Sequence, residues 1–175
     1  MQPFFTIGHS TRSTEEFIAL LQQSEIRQLA DVRTVPRSRT NPQFNPETLA
    51  ASLAGYQIGH AHLTALGGLR GRQQQVPDAL NALWQNRSFR NYADYAQTPP
   101  FREGLQQLLE LGATGRVAIM CAEAVWWRCH RRIIADFLLA RGLAVFHILG
   151  PQNVTPATLT PGAVVSGETV TYPLP

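Results

Sequence analysis

The chain has 175 residues, 44% of them hydrophobic, and a formal net charge of +3; this suits one globular domain that buries about two-thirds of its unfolded surface. All fifteen basic residues are arginine, which excludes a lysine Schiff base and a G-x-x-x-x-G-K-[ST] phosphate loop and leaves arginine forks or backbone to meet any anion. No run of about 18 apolar residues and no secretory pattern occurs, and two cysteines eight positions apart make no disulfide framework, so the sequence predicts a soluble, cytoplasmic chain without a membrane partner, its cysteines free thiols or metal ligands.

"FFTIGHS" (4–10) reads as a short buried strand, and "STEEFIALLQQ" follows as a helix with Ser13 and Glu16 spaced as a capping box. "IRQLADVR" (26–33) is a second strand, which Pro36 and Pro42 turn into the loop "TVPRSRTNPQF". Asn45 and Pro46 open a helix that Gly55 closes, and "YQIGHAHL" (56–63) is a third strand. "ALGGLRGR" has no apolar period and reads as a mobile loop suited to a lid.

Residues 77–112 read as helices, "PDALNALWQ", "SFRNYADYAQ" capped by Ser88, and "FREGLQQLLELG". "RVAIMC" (116–121) is the clearest strand, "CHRRIIADFLLARG" the clearest helix, closed by Gly142, and "LAVFHIL" the strand after it, a β-α-β unit. The expected fold is a single α/β domain over residues 1–150, with a mostly parallel central sheet of about five strands flanked by helices on both faces. Residues 151–175 form a C-terminal extension, an appendage with a hairpin signature around Ser166 and Gly167. Ligands of such sheets bind beyond the carboxyl ends of the strands, which gathers His9, Ser10, Asp31, Arg33, Cys121 and Glu123 at one edge.

Cys121 ends a buried strand ahead of a helix start, where backbone N–H groups and the helix dipole acidify a thiol, although a free cysteine also suits a core. Glu123 follows it as a general acid or base or as an orienter of arginine. Cys129, His130, Arg131 and Arg132 fall on the first helical turn, where cations oppose the dipole; a bound anion, or Asp31 and Glu123 in an internal ion network, would offset that cost. Zinc on Cys121, Cys129 and His130 with His9 or His60 meets no recognised spacing, so no metal or cofactor is expected. His9 is the favoured proton carrier, Asp31, Arg33, Arg37 and Ser38 suit a phosphate clamp, and Tyr92 and Tyr95 in "FRNYADYAQ" suit either base stacking or a core stripe.

The pieces "TIGHS", "DVR…PRSR", "LGG", "FRNYADY" and "CAE…CHR", in that order over residues 4–149, resemble a bacterial and archaeal family known as domain of unknown function 488. The resemblance implies that Gly8, His9, Ser10, Asp31, Arg33, Pro36, Ser38, Gly67, Gly68, Tyr92, Cys121, Glu123, Cys129, His130 and Arg131 matter, without naming a reaction. The order of "DVR", strand, cysteine loop and helix is also similar to rhodanese-type domains, but the loop "CAEAVWWRCHR" lacks their short glycine-containing anion cradle.

The sequence therefore leads to an enzyme, a hydrolase or group transferase working through Cys121 or Glu123 with His130 and His9. Its phosphorylated or nucleotide-like substrate would be held by Arg33, Arg37 and Arg131, with contacts from Ser10 and the Gly67–Gly68 loop. A non-catalytic nucleic-acid-binding module on the Tyr92 and Tyr95 face is the second expectation, and a buried polar network that only specifies the fold is the third.

Overall fold

The computed structural model describes residues 1–175. It places strand β1 at Phe4–Gly8, helix α1 at Thr14–Gln23, β2 at Gln28–Asp31, α2 at Pro46–Ala54, β3 at Gly59–His62, α3 at Arg87–Tyr95 and α4 at Pro99–Thr114. β4 spans Val117–Cys121, α5 Arg131–Ala140, β5 Val145–Gly150, β6 Asn153–Pro156, β7 Val164–Ser166 and β8 Thr169–Thr171. The main sheet has the order β3-β2-β4-β1-β5-β6, parallel throughout except for β6, which runs antiparallel to β5. The chain is thus an α/β domain with a mostly parallel sheet, of six strands where about five were expected. No helix is long and apolar enough to cross a membrane.

Alternation along each strand divides the core in two. Phe5, Ile7, Leu29, Ala118 and Met120 face α1 and α2, while Phe4, Ala30, Val117, Ile119 and Cys121 face α3, α4 and α5. The chain leaves β1 toward one face and β4 toward the other, although the two strands are neighbours, so the order reverses between them and opens a crevice at Gly8 and Cys121.

Local chemistry fixes the helix ends. Ser13 and Glu16 close the expected capping box on α1, and Gly142 takes φ +77 after α5, a conformation that costs glycine nothing. Several expectations are corrected. Only a 3-10 turn, Asp78–Asn81, forms in "PDALNALWQ", because buried Asn81 is held by Asp94 and Tyr172 from other elements. Asn86 caps α3 by accepting from Phe89 N at 3.2 Å, and Ser88 lies inside that helix. β3 starts at Gly59, after a turn in which Gln57 has φ +57.

The C-terminal residues do form the β7–β8 hairpin, but they are not an appendage. β6 extends the main sheet, Val170 and Tyr172 are fully buried, and the Tyr172 hydroxyl donates to Asp136 Oδ2 at 2.8 Å.

Candidate functional site

The carboxyl ends of β1, β2 and β4 converge on the crevice. β1 approaches the loop after β4 so closely that a Cβ on Gly8 would overlap the Glu123 carbonyl. Cys121 closes β4, residues 122–128 loop out through a 3-10 turn at Trp126–Arg128, and the extended backbone of Cys129 returns its sulfur to 2.7 Å from Cys121 Sγ. Both thiols are free and buried, with 3% and 7% exposure.

Arg131, the first residue of α5, is only 1% exposed and lies behind the thiols. Its Nε donates to Cys121 Sγ at 3.0 Å, Nη1 to Thr6 Oγ1 at 3.0 Å and Nη2 to the Glu123 carbonyl at 2.7 Å. None of these partners is a carboxylate. A buried guanidinium without a counterion is costly, and the one group beside it able to become an anion is the thiol pair.

His130 is oriented toward that pair. Its Nε2 donates to the Val32 carbonyl at 2.8 Å, which leaves the Nδ1 lone pair 3.4 Å from Cys129 Sγ. Burial lowers its pKa, so the ring is a neutral acceptor near pH 7. Burial opposes ionisation of Cys129 as well, yet the hydrogen bond with Cys121, the Arg131 charge and the Arg131 backbone N–H bring this thiol down to about 7. Cys121 moves up, through burial and then its bond to Cys129. The two sulfurs titrate as one pair beside the guanidinium, with ionisation favoured at Cys129 over Cys121.

Behind Arg131 the hydroxyl of Thr6 donates to His147 Nδ1 at 2.6 Å, and the His147 ring stacks on Trp126 with centroids 4.4 Å apart. Burial and then the Arg131 charge push His147 down to about 4. Neither Thr6 nor His147 stood out in the sequence reading; the available signal was a histidine inside the apolar strand "LAVFHIL".

The Arg33 side is built differently. Asp31 takes Arg33 Nε at 2.9 Å and Nη2 at 2.7 Å, Phe44 O takes Nη2 at 2.8 Å, and His9 Nε2 accepts from Nη1 at 3.2 Å. His9 donates from Nδ1 to Ser10 O at 2.8 Å, stacks on Phe44, and is held neutral by burial. His62 Nε2 donates to Arg33 O at 2.7 Å.

A cavity of about 440 Å³ opens above the thiols, bordered by Val35, Leu69, Phe89, Glu123, Arg128 and His130. A second, of about 340 Å³, shares Arg33, Val35 and Ala122 with it and adds His9, Ser10, Arg37 and Ser38. The strand-end residues therefore gather as expected, but several side chains do not do what the sequence suggested. Arg33 and Arg131 are turned to internal partners and form no open clamp, although Arg33 borders both cavities; Arg37 is exposed and pairs with Glu47. The Glu123 carboxylate is exposed and accepts only from Val125 N at 3.4 Å; it is the carbonyl of Glu123 that enters the site. Ser38 braces its own loop, its N–H donating to Asn45 Oδ1 and its Oγ accepting from Asn41 N.

Tyr92 and Tyr95 are buried, their hydroxyls donating to Leu66 O and Ala65 O at 2.7 Å, and so offer no face to bases. The glycine loop is pinned by Leu69 N donating to Thr34 Oγ1 at 2.8 Å. Gly68 lies against His130, whose ring a Cβ there would meet.

The family model described as "Domain of unknown function DUF488" matches residues 13–138. The chain belongs to that family. The match to this DUF488 domain includes Asp31, Arg33, Cys121, Cys129, His130 and Arg131 but stops short of β1 and β5, which supply Thr6 and His147. No curated protein and no solved structure matches the chain.

Proposed function

We propose that this DUF488 domain is a thiol-dependent enzyme of the group-transfer class, in which the Cys129 thiolate attacks a substrate held in the cavity above it. The observation that carries the reading is Arg131, a buried guanidinium with no carboxylate, whose Nε meets a cysteine sulfur at 3.0 Å. Its charge balances a thiolate, and His130 Nδ1, fixed by the Val32 carbonyl, accepts the proton when Cys129 is still a thiol. The group transferred to sulfur then passes to an acceptor or to water. A phosphorylated or nucleotide-like substrate would be met by Arg128 at the first cavity and, by exchange of its exposed pairing with Glu47, by Arg37 at the second, since Arg33 and Arg131 are held by buried partners. The nucleic-acid reading loses its stacking face with the burial of Tyr92 and Tyr95.

The test is iodoacetamide labelling of the native protein across about pH 5–10, a window that brackets the ordinary thiol value of about 8.5, with each cysteine located by peptide mapping. Cys129 is expected to label first, with an apparent pKa close to 7. Labelling of neither cysteine until the protein unfolds would overturn the proposal.

A further inference from the structure

Resting on the reading of Cys129 as nucleophile, we infer that Cys121 is its resolving thiol and that the substrates are small disulfides, reduced by exchange with the Cys121–Cys129 pair. A second thiol beside the first contributes no bond to acyl or phosphoryl transfer, whereas disulfide exchange requires one. Here it stands 2.7 Å from Cys129 Sγ, within an ångström of the S–S bond length of about 2.05 Å. Cys129 is an extended residue between the 3-10 turn and α5, its backbone bonded to Trp126 O and Arg132 N, and the gap left for its sulfur to close is less than an ångström. The cavity that reaches both sulfurs is walled by Val35, Leu69 and Phe89 together with Glu123 and Arg128, which admits a small disulfide with an apolar or polar substituent. A metal is disfavoured at the same sulfurs because the Arg131 guanidinium lies 3.0 Å from one of them.

The steps balance. The Cys129 thiolate attacks one sulfur of R–S–S–R; a Cys129–S–S–R bond forms, the substrate S–S bond breaks, and RS⁻ departs. Cys121 then attacks Cys129 Sγ, the mixed bond breaks, a second thiolate departs, and the proton of Cys121 goes to a leaving thiolate. The pair is oxidised by two electrons and the substrate is reduced to one RSH and one RS⁻. Two equivalents of an external low-molecular-weight thiol return the pair to its starting state, the first opening the internal disulfide as a mixed disulfide and the second releasing it, and they leave joined as their own disulfide. Arg131 favours that return, because its charge is balanced by the thiolate of the reduced pair and by nothing in the disulfide, as expected for a readily reduced bond.

The experiment incubates the protein and its Cys121→Ser and Cys129→Ser variants with bis(2-hydroxyethyl) disulfide, reads adducts by intact mass and peptide mapping, and checks each variant's fold by circular dichroism. Wild type is expected to form the internal disulfide, Cys121→Ser to hold a stable mixed disulfide on Cys129, and Cys129→Ser to react at least about tenfold more slowly. A parallel titration of wild type in buffers of reduced and oxidised glutathione, which needs no variant to fold, should show one two-electron transition between dithiol and internal disulfide. A mixed disulfide on Cys129 that never closes would overturn the resolving role while leaving Cys129 as nucleophile. No adduct on either cysteine, together with inertness to iodoacetamide, would remove the nucleophile itself.

Discussion

Two buried arginines flank the crevice, one just past the end of β2 and the other at the start of α5, and they are neutralised in opposite ways. Arg33, 6% exposed, is gripped by both oxygens of Asp31, with a carbonyl and an imidazole accepting two further N–H bonds. Arg131, 1% exposed, has a hydroxyl, a carbonyl and a sulfur. The first is a completed ion pair that fixes the rim of the crevice. The second acquires a counterion only when a thiol ionises. The same residue type, buried in both places, is structural beside β2 and sets reactivity at the start of α5.

The largest effect should come from breaking the completed pair. Asp31→Asn leaves Arg33 buried and uncompensated and should cost about 3–5 kcal/mol, read as a lower urea midpoint, while the pH profile of Cys129 labelling in the folded fraction stays in place. A midpoint that did not move would show that the two arginines are not distinguished by their partners.

Acid should expose the other side next. His147 is held near 4, below its ordinary value, so between pH 6.5 and 4 the unfolded chain binds a proton that the folded chain refuses, and stability falls as pH drops through that window. Asp94 and Asp136, both raised by burial, act in the opposite direction in the carboxylate range, their contributions falling as pH rises. His147→Gln should flatten the loss in thermal midpoint between pH 6.5 and 4; an unchanged slope would mean that the imidazole facing Arg131 through Thr6 does not set it.

The smallest effect sharpens the contrast most. Arg131→Gln should raise the apparent pKa of Cys129 labelling by more than about one unit, equivalent to about 1.4 kcal/mol, whereas Arg37→Gln, remote from the sulfurs, should leave it in place. A profile still near 7 in Arg131→Gln would assign the acidity elsewhere.

Much of this was legible from residues close in sequence. The strand, loop and helix of "IMCAEAVWWRCHRR" placed both cysteines and His130, and Asp31 and Arg33, two apart at a strand end, fall on the same side of the strand. What escaped was set by register across the sheet. Thr6 pairs with His147 through the β1–β5 register, and nothing local to either residue announces it. Whether an arginine at a strand end faces solvent or the interior likewise depends on which carbonyl or sulfur the fold brings beside it, so an open phosphate clamp was expected where Arg33 and Arg131 turn inward. β6, with its Pro156 and polar residues, carries no alternating apolar signal, and only its pairing with β5 makes it a strand.

The placement of β1 at the centre of the sheet also sets an order of events during synthesis. β1 leaves the ribosome well before its partners β4 and β5, and Thr6 meets Arg131 across 125 residues. Such long-range closure makes folding slow and postpones it until β4, α5 and β5 have been made. Throughout that interval the two cysteines, made after β1, lack the buried guanidinium that acidifies them, so a nascent or truncated chain would carry thiols of ordinary reactivity. The chemistry of the site is thereby tied to completion of the sheet.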